Sequence, residues 1–102
     1  MNQKYEMLNE FVTRLLQEKG ILEGQDPEVQ KQLRLDLYER VEDRLNAAIL
    51  RELPEDELKT FEKKLEAGND KELQEYLREK IPDLDQVLAA ELVNFRAIYL
   101  NA

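Results

Sequence analysis

The six residues most hostile to helix in this chain, three glycines and three prolines, all fall between stretches whose apolar residues recur at helical spacing. No stretch alternates apolar and polar residues as a half-buried strand would. The expected fold is therefore all-α. A first helix is expected from about Asn2 to Lys19, with Tyr5, Leu8, Phe11, Val12, Leu15 and Leu16 on one side and Gly20 as its cap. Asp26 is a good N-cap and Pro27 a good first helical residue, since proline lacks an amide hydrogen that this position would leave unpaired. The second helix, about Pro27 to Glu52, carries Leu33, Leu37, Val41, Leu45, Ala48 and Ile49 in one slowly drifting stripe, with Leu35 and Leu50 off it. Leu53-Pro54 stops it and opens a third, about Pro54 to Ala67. Its first turn holds Glu55, Asp56 and Glu57, where the helix dipole favours acids, and its buried edge is Leu58, Phe61 and Leu65. Gly68 ends that helix. Asn69 followed by Glu72 resembles a capping box for a short fourth helix, which carries Leu73, Tyr76 and Leu77 and stops near Lys80. Ile81-Pro82-Asp83 then turns the chain into a final helix, with Asp83 and Gln86 spaced to cap it.

Connections this short favour antiparallel neighbours, so the expectation is a compact bundle of about five helices forming a single domain over residues 1–102. A chain of this length buries roughly two-thirds of the surface its unfolded form exposes, enough for an independent core. Hydrophobic residues at 42% and charged residues at 37% suit a helical globule better than a disordered chain. Glu10 with Arg14, Asp36 with Arg40 and Glu55 with Lys59 sit four apart, acid first, an arrangement that supports helices on solvated faces.

The final helix is apolar on nearly two faces. Leu84, Leu88, Leu92, Phe95 and Tyr99, flanked by Val87 and Ile98, form one broad stripe, and Ala89, Ala90, Val93, Ala97 and Leu100 form a second, smaller one. One stripe suffices for a core, so the second points to an interaction surface. Leu35 and Leu50 are candidates to extend it. Glu91 is the charge that stands out, since its angular position falls among Leu84, Val87, Phe95 and Ile98. An unpaired buried carboxylate is costly. Glu91 must therefore reach solvent or an arginine of another helix, or pair across a helix interface and fix its register.

The net charge of −8 is spread over both halves, so nucleic acid and anionic membrane surfaces are expected to be repelled. With no cysteine the protein does not depend on an oxidising compartment. The N-terminus lacks the basic start and apolar run of a signal peptide, and no stretch approaches the roughly 20 apolar residues of a membrane span. Cytoplasm is the expected location.

Histidine, cysteine and serine are all absent, which removes the commonest general base, the commonest nucleophiles and the usual transition-metal ligands. Thr13 and Thr60 have no partner motif. The carboxylate groups Glu39, Glu42 and Asp43; Glu55, Asp56 and Glu57; and Asp83 with Asp85 could in principle do acid/base work or hold a hard cation. The last two lie at helix starts, where capping already explains them. Gly20, Gly24 and Gly68 never cluster into a phosphate loop. The expectation is no catalytic residue, no cofactor and no metal.

From about Leu37 to Leu100 the chain resembles a family of short helical bacterial proteins of unknown function, frequent in candidate-phyla lineages. The resemblance is carried by the run Arg44-Leu-Asn-Ala-Ala-Ile-Leu-Arg-Glu-Leu-Pro-Glu-Asp-Glu-Leu58, the Leu65-Glu-Ala-Gly-Asn-Asp70 turn, the Tyr76-Leu-Arg-Glu-Lys-Ile-Pro-Asp83 junction and the acidic-aliphatic final helix reaching Asn94-Phe95. It implies a small helical domain and supplies no catalytic residue.

The function expected from the residues is a non-enzymatic interaction or assembly module. It would use Ala89, Ala90, Val93, Ala97 and Leu100, with Glu91 beside them, against a second copy, as a homodimer, or against another protein. The alternative is an acidic inhibitor that occupies a basic, nucleic-acid-binding surface of another protein, with salt-dependent binding as its signature.

Overall fold

The computed structural model describes the backbone of residues 3–101 and the side chains of residues 6–101. Asn2, expected to open the first helix, and the side chain of Tyr5, expected in its apolar stripe, lie outside the described residues. In chain order the elements are α1 (Gln3–Lys19), α2 (Pro27–Glu52), a single 3-10 turn (Glu55–Glu57), α3 (Leu58–Ala67), α4 (Asp70–Lys80) and α5 (Leu84–Asn101). No strand occurs among the described residues, and the helices pack as a bundle.

Local chemistry sets most of the helix ends. At the end of α1, Gly20 adopts φ 72° and donates its N–H to the Gln17 carbonyl, while the Ile21 N–H reaches back to Leu16. That pair of bonds is a Schellman motif, and only glycine enters its left-handed position without strain. Gly68, at φ 74°, ends α3 in the same left-handed conformation. Asn69 caps α4, its Oδ1 accepting from the Glu72 N–H at 3.1 Å.

Two starts differ from expectation. Asp26 occupies the N-cap position of α2, but its side chain makes no capping bond. The Gln30 side-chain amide instead donates to the Leu22 and Gln25 carbonyls and ties the loop down from inside the helix. The third helix begins as a 3-10 turn, because Pro54 offers no N–H and the three residues after it close with a tighter bond from the Glu57 N–H to the Pro54 carbonyl.

With 26 residues, α2 is about 39 Å long and forms the spine of a molecule measuring 47 × 27 × 19 Å. Two hydrophobic clusters sit along it. The first joins Leu8, Val12, Leu15 and Leu16 of α1, Leu22 of the loop, Leu37, Val41 and Leu45 of α2, and Phe95 of α5. The second joins Ile49 and Leu53 to Phe61 of α3, Leu73 and Leu77 of α4, Ile81 and Leu84. Leu88 of α5 packs against both.

Three apolar residues depart from the expected pattern. Leu65 is 41% exposed, a full turn beyond Phe61, where α3 runs past the second cluster toward the Gly68 turn. Ile98, expected to flank the buried stripe of α5, is 59% exposed. The elements that cover Leu84 and Val87 at the other end of the helix, α3 and α4, do not extend that far. Leu100, expected on the outer stripe, is half-buried against the first cluster, because this edge of α5 leans on α1.

The ion pairs seen among the described residues link different elements instead of running four apart along one helix. Arg96 of α5 meets Glu18 of α1 at 2.9 Å, Lys80 of α4 meets Glu57 at 3.2 Å and Arg78 meets Asp85 at 2.9 Å. Asp36, expected to pair with Arg40, accepts from Gln32 at 2.8 Å.

Candidate functional site on the last helix

α5 lies antiparallel on α2, as the contacts of three arginines establish. The Arg40 guanidinium stands over the Phe95 and Tyr99 rings, at 5.9 and 5.8 Å from their centroids. Arg44 stands 6.0 Å from the Phe95 ring and also reaches Glu91. Arg51, two turns further along α2, reaches the same carboxylate. The Phe95 and Tyr99 rings are stacked, 6.1 Å apart and 11° from parallel, which gives the arginines one continuous aromatic shelf.

Glu91 is 6% exposed, which confirms its position among apolar side chains. Arg44 donates from Nε to Oε1 at 3.0 Å and Arg51 from Nη2 to Oε2 at 3.1 Å, so each carboxylate oxygen has its own guanidinium. On α2, Arg44, Ala48 and Arg51 share one ridge at steps of four and three residues. Ala48, fully buried, keeps that ridge low between the two arginines. Burial by itself raises the Glu91 carboxyl; the hydrogen bonds and charges of Arg44 and Arg51 outweigh it and hold the group below the usual carboxylate range. Glu91 is therefore a carboxylate at neutral pH, clamped across the α2–α5 interface.

The outer face of α5 is bare. Ala89, Ala90, Val93 and Ala97 are all exposed, with Val93 at 68%. Between Gln86 and Asn101 the helix carries only two charges, Glu91 and Arg96, and both are held within the molecule. At the chain's average of 37%, those sixteen positions would carry about six. Leu35 and Leu50 are exposed as well, but they sit about 140° and 100° around α2 from Arg40 and Arg51, which face α5. They do not join the α5 face.

On its α1 side, the same helix borders a groove of about 420 Å³ lined by Met7, Glu10, Phe11, Arg14, Glu18 and Arg96, with Leu15 at its floor. A separate polar cluster fastens α4 to the 3-10 turn. The Tyr76 hydroxyl donates to Glu57 Oε2 at 2.6 Å, Lys80 pairs with Glu57 and the Lys64 ammonium lies 5.3 Å from the Tyr76 ring centroid. Burial and the Glu57 carboxylate push the Tyr76 phenol up to about 12, and its hydrogen bond in turn lowers Glu57. With its proton held this firmly, Tyr76 serves as a structural tie.

Thr60 is exposed and Thr13 is half-buried within α1. No group of three or more acidic residues among the described residues is placed to hold a metal ion. No helix among them is long and apolar enough to cross a membrane. Sequence reasoning missed Arg44 and Arg51; their spacing on one face of α2 around a single alanine is the signal that could have identified them as partners of Glu91.

These features define a small all-helical bundle with a charge clamp inside and an uncharged helix face outside. The chain belongs to the family described as protein of unknown function (DUF5663), which matches residues 15–99, from the last turns of α1 nearly to the end of α5. No curated protein and no solved structure matches it.

Proposed function

We propose that this protein is a non-enzymatic helical interaction module that seats another helix along the outer face of α5. The observation that carries this reading is the uncharged face of Ala89, Ala90, Val93 and Ala97, left exposed in a chain that is otherwise more than one-third charged. Charge depletion is the compositional mark of the core of a protein interface. Its small side chains also allow a neighbouring helix axis to come close. The absence of histidine, cysteine and serine, together with acids such as Glu18, Glu57, Asp85 and Glu91 that are taken up in ion pairs, supports a role without catalysis.

The test places a photo-crosslinking residue at Val93, and separately at the exposed control position Glu79, in extract of the source cells. Adducts specific to position 93 are expected, and Val93→Asp with Ala97→Glu should abolish the interaction without loss of helix content. Identical adducts from both positions would refute the proposal. Unfolding of the double variant would instead assign the face to the core.

A further inference from the structure

We infer that the helix seated on α5 belongs to a different protein and carries carboxylates along the edge that meets α2. This rests on the outer face of α5 being an interaction surface, and it names the chemistry of the occupant. A guanidinium has five N–H donors in a fixed fork. Arg44 spends only its Nε–H on Glu91, and Arg51 spends one donor of Nη2. Their remaining donors have no acceptor among the described residues, while the side chains are 44% and 65% exposed. One buried carboxylate cannot neutralise two guanidiniums. At Arg44 and Arg51 the α2 edge therefore presents two positive charges against a single buried negative one.

Asp36 and Asp43 lie four and three residues from Arg40 on α2 and offset its charge, but neither reaches the other two arginines: Asp43 is turned about 100° around α2 from Arg44 and lies about two turns from Arg51. Beside the arginines, α5 offers an apolar ledge. Glu91, Phe95 and Ile98 follow one ridge at steps of four and three, so the exposed Ile98 continues the line of the clamp. Asn94 and Ala97 lie next to it, both exposed. The combination fits an amphipathic helix with a small apolar seam and Asp or Glu on one flank, since both guanidiniums are already oriented by Glu91 to receive carboxylates.

A second copy of this chain offering its own α5 does not supply that chemistry. The exposed positions of its own α5 from Gln86 to Asn101 hold no carboxylate. Pairing two α5 helices antiparallel about a two-fold axis lays the arginine edge over its own copy, like charge on like. Parallel pairing lays it over the α1 edge, where Glu10 and Glu18 are balanced by Arg14 and Arg96. A nucleic acid fits poorly against an uncharged helix face on a chain of net charge −8.

The test uses two synthetic amphipathic helices with the same Ala/Leu seam, one flanked by Glu and its twin by Lys. Each is titrated with the full chain by fluorescence anisotropy at low and high salt. The Glu helix should bind and weaken with salt, and the Lys twin should not bind. Arg51→Gln should weaken the Glu helix about fivefold, the size of one exposed ion pair. This variant leaves Arg44 on Glu91, and circular dichroism verifies its fold. Val93→Asp should abolish binding. Equal binding of the twins, binding of neither, or preference for a single-stranded oligonucleotide would each overturn the inference. A homodimer in light scattering that Val93→Asp breaks would also overturn it while leaving α5 as an interaction face. Glu-helix binding that withstands Val93→Asp would instead remove that face from the account altogether.

Discussion

Replacing Glu91 with leucine should cost little, and removing both of its arginines should reverse the sign of that substitution. Glu91 makes two charge-assisted hydrogen bonds, each contributing about 1.5 kcal/mol at the low end of the usual range, because both arginines are half-exposed and regain water when released. That total of about 3 kcal/mol is comparable to the cost of holding a carboxylate out of water at 6% exposure. A leucine of similar volume should therefore stay within about 1 kcal/mol of wild type. Glu91→Ala leaves a void and should cost about 2 kcal/mol. Arg44→Ala with Arg51→Ala strands the carboxylate and should cost about 3 kcal/mol; in that background Glu91→Leu should stabilise by about 2 kcal/mol. Urea unfolding followed by helix circular dichroism reads all of these, provided the slope is shared. The same sign for Glu91→Leu in both backgrounds would refute the reasoning. The pH dependence gives a second readout. Because the folded carboxyl is held below its ordinary value, the stabilisation is present above the ordinary glutamate range and is lost as pH falls through the lowered value. Wild type should therefore lose stability in acid more steeply than Glu91→Leu.

Tyr76→Phe deletes the donor to Glu57 and should cost about 1 kcal/mol in the same unfolding assay. In an ultraviolet titration one tyrosine should ionise near 12; since folding raises that phenol, the associated stability is full below pH 10 and declines as pH rises from there. Gly20→Ala and Gly68→Ala meet no atom within 4 Å of the added carbon, so each should cost only the strain of the left-handed backbone, about 1 kcal/mol. Ala48→Leu should cost about 3 kcal/mol, because the new side chain has to displace the ridge between Arg44 and Arg51. Thermal melts at matched concentration check all three.

Helix ends were readable from sequence because the signals that set them act over a few residues. Gly20, Pro27, Pro54, Gly68 and Asn69 each mark a boundary within a residue or two of its observed place. The exposed residues on the outer face of α5 were likewise visible as a second stripe. Periodicity shows which side of a helix is apolar, not how far its neighbour extends; Ile98 and Leu65 are exposed because the covering elements stop short of them. The clamp was half-visible for a related reason. Glu91 announces a buried charge on its own, but its partners lie 47 and 40 residues away and depend on how α5 slides along α2. No local rule supplies that offset. Asp26 failed for a more local reason, since Gln30 secures the same loop from a position where a glutamine usually points to solvent.

The place of Leu88, between both clusters on one unbroken helix, makes α5 a splint across the junction of the two clusters. α1 is braced at one end of it and the α3–α4 hairpin at the other, with little direct contact between them. Opening either end strips side chains from the same rod. A helix gripping that rod from outside would therefore slow amide exchange in α1 and in α4 together, far from any atom it touches.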